Sequence, residues 1–198
     1  MLSLEPTDSR NPDRRNQGTS HPPACVGMPA KVLSADPMTP AEFMQEAIRL
    51  AEEGRHTRRG GPFGCVIVRR GSIVARGQNR VTSANDPTAH AEIEAIRTAC
   101  RALGTFKLDD CELYTSCEPC PMCLAAIYWA HVPTVYYANT RIDAAAIGFD
   151  DDHIYREISA PIASRSVKLV PLLRDAAQPA FRAWLEDTGK TKIGRAHV

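Results

Sequence analysis

Four side chains in two short stretches carry the chemistry of this sequence: His90 and Glu92 in His90-Ala91-Glu92, and Cys120 and Cys123 in Pro119-Cys120-Pro121-Met122-Cys123. Cys120 and Cys123 stand three residues apart at the start of a predicted helix, a spacing that puts both sulfurs on one face. The partial positive charge of a helix N-terminus favours thiolate, the form that binds a metal. His90 opens a second predicted helix and supplies a third donor through one ring nitrogen. Two thiolates and an imidazole suit Zn2+, and three protein ligands leave one tetrahedral position open to water, as in a catalytic site. Zinc lowers the pKa of that water from about 15.7 to about 7. Glu92, two residues after His90, points elsewhere on a helix and is a poor ligand for the same metal. It can instead flank the open position, take the proton of the water and pass protons to a ring nitrogen and a leaving amine.

His-x-Glu followed by Pro-Cys-x-x-Cys is the signature of zinc deaminases, in which hydroxide attacks an electrophilic ring carbon and ammonia leaves. Either half alone has many other uses; the two in order, each opening a predicted helix, are far more specific. Cys117 leaves alternatives open. Cys117-x-x-Cys120-x-x-Cys123 is part of an iron–sulfur run whose next cysteine would fall where Ile127 stands. As a fourth ligand, Cys117 would close the zinc site and make it structural. As a buried thiol it would have no ligand role. Cys25, Cys65, Cys100 and Cys111 read as packing residues or surface thiols, and His131 and His153 as structural histidines.

The elements that must position these residues follow from periodicity and punctuation. Thr39-Pro40 with Glu42 has capping-box spacing, and Phe43, Ala47, Leu50 and Ala51 form the apolar stripe of a first helix. The apolar runs 65–68 and 73–75, joined by Arg69-Arg70-Gly71-Ser72, predict a β-hairpin. Ile93, Ile96, Cys100 and Leu103 predict a helix over 89–103. Strands are expected at 111–115, 135–138 and 167–172, and helices at 121–130, 152–158 and around Phe181, Trp184 and Leu185. Strands alternating with helices after a hairpin imply an α/β layered fold with a mixed sheet.

Composition bounds the rest. The chain has 198 residues, 43% hydrophobic and 24% charged, in the range of globular proteins. A net charge of +1 argues against a strongly polybasic nucleic-acid or membrane binder. There is no run of eighteen apolar residues and no secretory signal pattern. Seven cysteines, three of them clustered, suit metal chemistry in a reducing cytoplasm better than a disulfide framework. Residues 1–37 hold six of the fifteen prolines and no aromatic residue, and read as an irregular leader. The division expected is a leader over 1–37, a zinc deaminase domain over 38–174, and a C-terminal helix and tail over 175–198.

Residues 39–188 resemble the cytidine-deaminase superfamily and, within it, the bacterial guanine deaminases. The resemblance rests on His90-Ala91-Glu92, on Tyr114-Thr115-Ser116-Cys117-Glu118-Pro119-Cys120-Pro121-Met122-Cys123, on Ala126-Ile127-Tyr128-Trp129-Ala130 and on Gly148-Phe149-Asp150-Asp151. It implies a three-layer α-β-α fold around a central mixed five-stranded sheet. It also implies one zinc per subunit, held by His90, Cys120 and Cys123, and conversion of guanine to xanthine and ammonia with Glu92 as proton shuttle. By the same match, Asn79 resembles a base-binding asparagine, Phe63 an aromatic that stacks on the base, and Asp151 an acid that engages the purine amino group. The family is dimeric, and its C-terminal segment can cross to the partner subunit; Phe181, Trp184 and Leu185 are the residues that could dock it. A tRNA adenosine deaminase shares the zinc chemistry, and the basic cluster Arg55, His56, Arg58 and Arg59 is the feature in its favour. A structural zinc or iron–sulfur module is the non-enzymatic alternative.

Overall fold

The computed structural model describes residues 38–191 and 193. The expected leader over 1–37 lies outside the described residues. Helix α1 (Pro40–His56) starts where local chemistry dictates. The Thr39 hydroxyl accepts from the Glu42 backbone N–H at 3.3 Å, and the Glu42 carboxylate accepts from the Thr39 N–H at 2.7 Å. Its buried stripe is Phe43, Ala47, Leu50 and Ala51.

Strands β1 (Gly64–Arg69) and β2 (Ser72–Gln78) form the expected antiparallel hairpin, turning through Arg70 and Gly71, both at positive φ. A one-turn helix α2 (Val81–Ala84) leads to α3 (Ala91–Leu103), followed by β3 (Cys111–Cys117), α4 (Pro121–Trp129) and β4 (Thr134–Asn139). The sheet order is β2-β1-β3-β4, with β3 antiparallel to β1 and parallel to β4.

The pleat of β1 separates two cores. Cys65 and Ile67 face Ala91, Ala95, Ile96 and Ile127 of α3 and α4. Val66 and Val68 face Phe43 and Leu50 of α1. Helices therefore cover both faces of the sheet. Gly77 lets β2 approach α3 closely: a Cβ there would collide with the Ala91 carbonyl oxygen and stand 2.7 Å from the Ala95 nitrogen. That contact seats the first turn of α3, which carries Glu92.

The remaining helices are α5 (Arg141–Ala146), α6 (Asp152–Ser159), a 3-10 turn (Ile162–Ser164) and α7 (Arg174–Glu186), the last at the position expected from Phe181, Trp184 and Leu185. None of the four contains a buried residue.

The sheet has four strands, not five. The expected strand over 167–172 is irregular backbone with Val170 78% and Leu172 82% exposed. A strand exists only where a neighbour completes its ladder, and among the described residues β4 is the edge of the sheet, with Tyr136 and Tyr137 exposed. Pro171 also removes one backbone donor from that segment.

Candidate active site

The loop before α3 delivers His90 in an extended conformation, as the helix cap rather than its first residue (φ −72°, ψ 157°). The Asp86 carboxylate accepts from the Thr88 N–H at 2.8 Å, and the His90 N–H donates to the Thr88 carbonyl at 2.8 Å. The imidazole makes no capping bond to α3 and meets the Cys120 and Cys123 sulfurs instead. Cys120 occupies the same position on α4 (φ −65°, ψ 167°), with Pro121 preset for the first helical residue. Cys123, one turn on, is fully buried.

His90, Cys120 and Cys123 bring their donor atoms within 4.8 Å of one another. Each sulfur lies 3.5 Å from His90 Nδ1. Zinc bonds of about 2.3 Å to sulfur and about 2.0 Å to nitrogen, at tetrahedral angles, separate neighbouring S and N ligands by about 3.5 Å. The three donors therefore fit a tetrahedral zinc. Cys120 and His90 are each partly exposed, so the cluster opens to one side.

The electrostatics agree. The hydrogen bond from the Cys123 thiol holds Cys120 down to about 4, helped by His90. The same bond pushes Cys123 upward, because one proton is shared between two close sulfurs. The direction that matters for a metal is the lowered one: a divalent cation takes the place of the shared proton and leaves both groups as thiolates. His90 is raised, first by its hydrogen bond with Cys120, a sign of how much negative charge the cluster gathers.

Glu92 is buried at 6% exposure, and burial pushes its carboxyl above the usual range. The fully buried Thr115 hydroxyl donates to Glu92 Oε1 at 3.1 Å. Glu92 Oε2 accepts from the Cys123 thiol at 3.4 Å. The carboxyl thus has one oxygen anchored to β3 and the other beside the three donors. Thr115 lies within the stretch Tyr114-Thr115-Ser116, but the sequence alone gives no sign that it touches Glu92. Cys117 is buried at the end of β3, with its thiol donating to the Thr140 carbonyl at 3.6 Å, and is not one of the three clustered donors.

The other expected residues lie outside the three-donor cluster. Asp151 occupies the position before α6 without a side-chain capping bond; burial and then the negative charge of Cys120 push its carboxyl up, and Arg141 opposes them. Arg141 also lies over the Tyr155 ring, 5.0 Å from its centroid, and its N–H donates to Glu118 at 3.0 Å. Tyr155 feels both Asp151 and Cys120, and nothing in the sequence singled it out. Phe63 packs edge-on against Phe149, with centroids 4.9 Å apart, which ties the start of β1 to the loop carrying Asp151. Asn79 is 5% exposed at the end of β2, one residue before Arg80, whose N–H donates to the Ala89 carbonyl at 2.9 Å beside His90. The structure thus brings His90, Glu92, Cys120 and Cys123 into one cluster and puts Asp151 within the field of Cys120, while Phe63 and Asn79 make their own contacts at the two ends of the hairpin.

Comparison with known proteins agrees with this geometry. The profile of the cytidine and deoxycytidylate deaminase zinc-binding region matches residues 38–139. The chain is 54% identical over 142 residues to guanine deaminase of Bacillus subtilis, covering 72% of this chain and 91% of that protein. The crystal structure of a B. subtilis guanine deaminase superposes with a TM-score of 0.76 at 51% identity, covering 79% of this chain and 100% of the other. A tRNA-specific adenosine deaminase of Agrobacterium fabrum is 50% identical over 76 residues, 38% of this chain and 50% of that one.

Proposed function

The chain belongs to the zinc-binding cytidine and deoxycytidylate deaminase family, in its guanine deaminase branch, and from that premise we propose that it hydrolyses guanine to xanthine and ammonia. The observation that carries the reaction is the buried Glu92 carboxyl, anchored by Thr115 and set 3.4 Å from Cys123 beside the three donor atoms. His90 Nδ1 and the sulfurs of Cys120 and Cys123 hold the zinc. Zinc bound there supplies the acidity that makes water a nucleophile near neutral pH.

Glu92 Oε2 is the working oxygen, since Oε1 is committed to Thr115. It accepts a proton from the attacking water and delivers it first to the ring nitrogen next to the attacked carbon. The second proton of the water then reaches the departing amine, so that water and guanine leave as xanthine and ammonia. Asp151 engages the amino group, and its burial favours a form able to share a proton. Phe63 stacks on the base and Asn79 reads its edge.

The enzyme acts as a homodimer in this reading. Support comes from the apolar residues left exposed on β4, α6, α7 and the 167–173 segment, which a second copy would cover, with α7 as the segment that crosses. No helix among the described residues is long and apolar enough to cross a membrane, and their six cysteines are free thiols, which suits the reducing cytoplasm.

The test is to incubate the zinc-loaded protein separately with guanine, adenine, cytosine, guanosine and an adenosine-containing tRNA anticodon loop, measuring ammonia and product mass. Xanthine from guanine alone is the expected result. Inosine in the RNA without guanine turnover would replace the substrate and keep the chemistry.

A further inference from the structure

Asn79 is held in a way that its identity alone does not require. Its side-chain oxygen accepts from two backbone donors, the Gly61 N–H at 3.1 Å and the Val81 N–H at 3.3 Å. Backbone N–H groups can only donate, so they fix which end of the carboxamide is oxygen. Among the described residues no acceptor meets the amide nitrogen Nδ2. The Gly60 backbone lies against the same residue. A Cβ at Gly60 would collide with Asn79 Oδ1 and its carbonyl oxygen, and would stand 2.7 Å from its carbonyl carbon. The next glycine sits under the other candidate contact to the base. A Cβ at Gly61 would stand 2.9 Å from Phe63 Cε2 and 3.1 Å from Phe149 Cζ. The loop is closed by the Phe63 N–H donating to the Gly61 carbonyl at 2.8 Å and the Asn79 N–H donating to the Phe63 carbonyl at 3.1 Å.

We propose that Gly60 and Gly61 are positioning residues that turn Asn79 into a donor-only reader of the base and hold the Phe63–Phe149 edge beside it. With the Asn79 oxygen occupied, the side chain offers only N–H hydrogens to a ligand. The pocket then selects a heterocycle presenting an acceptor at that edge, a carbonyl oxygen or an unprotonated ring nitrogen, and rejects one presenting an N–H. A free carboxamide, able to rotate by half a turn, would accept both. Two adjacent residues without side chains are what let the loop come close enough to lock it. The inference rests on the reading of the site as a base-deaminating pocket and adds the device that sets its polarity.

The experiment uses steady-state kinetics on guanine with zinc content and melting temperature measured for every variant. Gly60→Ala raises KM about tenfold, the scale of one lost hydrogen bond, and changes kcat less than about threefold. On an Asn79→Ala background the clash with Oδ1 is gone while that with the backbone carbonyl of residue 79 remains, so the same substitution raises KM at least about threefold less than it does in the parent. Asn79→Asp keeps an oxygen for the Gly61 and Val81 N–H groups but has no donor, and it also raises KM at least about tenfold. Equal effects of Gly60→Ala on both backgrounds would make it a merely structural residue and overturn the proposal. So would an Asn79→Asp enzyme with unchanged KM, and this arm decides should Gly60→Ala lose its zinc or its fold. A parent inert toward guanine removes the functional reading and this inference together; a parent active on guanine with an indifferent Gly60→Ala removes the inference alone.

Discussion

The molecule divides near Asn139 into two regions built on different terms. Among the described residues, every buried one lies in the first, between Phe43 and Val132, together with the three clustered donors and Glu92. The family profile ends at the same boundary, residue 139. The second region holds Asp151 and Tyr155, which both feel the charge of Cys120, yet none of its described residues is buried, and it exposes Ile142, Ile158, Leu172, Phe181 and Leu185. Its helices are amphipathic with their apolar faces unpartnered in a single chain. The first region completes its core internally; the second carries apolar faces that nothing within the described residues covers. The three clustered donors therefore lie in the part that completes its own core, and the part that carries Asp151 leaves its apolar faces exposed.

This contrast can be broken most decisively at the metal. Cys123→Ala, or stripping zinc with a chelator, abolishes activity and lowers thermal stability, since a fully buried donor of the first region is lost. Metal analysis alongside a melting curve checks it; a zinc-replete, active Cys123→Ala enzyme would remove Cys123 from the ligand set. Glu92→Gln comes next. It keeps zinc and folding but loses about 10² to 10⁴ in kcat, the usual scale for a general acid–base.

Asp151→Asn tests the reach of the second region into the chemistry. We expect kcat to fall about 10- to 100-fold with zinc content unchanged. A change in KM alone would instead assign Asp151 to binding. Trp184→Glu, on α7, should shift the protein from dimer to monomer by light scattering while zinc stays bound. A monomeric variant with less than about threefold loss of kcat/KM would show that the mouth of the site is complete within one chain.

The smallest effect sharpens the claim that the first region stands by itself. Glu46 bridges Arg49 and Arg76, linking α1 to β2, and these partners hold its carboxyl down to about 2. Its contribution to stability is fully present above the unfolded glutamate pKa of about 4.3 and is lost as pH falls toward the folded value. Glu46→Gln should cost about 1 kcal/mol at pH 7, screening by solvent included, and about half that near pH 3. Denaturant melts at the two pH values check it.

Local chemistry was legible from the sequence wherever a helix was concerned. The Thr39–Glu42 box and the apolar stripe of α1 lie within a few residues of one another, and a helix satisfies its own backbone. The hairpin and the strands on either side of α4 followed from apolar runs and turn residues. The strand expected over 167–172 did not form, because apolar character is no guarantee of an edge to pair with. The Thr115–Glu92 bond joins a strand to a helix across 23 positions, and the Phe63–Phe149 contact spans more of the chain still. No periodicity carries such information.

By itself the sequence determined the chemistry. The two short stretches, His90 with Glu92 and Cys120 with Cys123, name metal donors and a proton carrier, since within each stretch the pairing depends on residues only two or three apart. Tertiary structure alone decided the terms on which that chemistry operates. It buried Glu92 and tied one oxygen to Thr115, it gathered the three donors at tetrahedral spacing, and it turned the Asn79 oxygen toward the Gly61 and Val81 backbone. Those outcomes depend on which distant segments share a sheet and a loop cluster, and only the packed chain sets that.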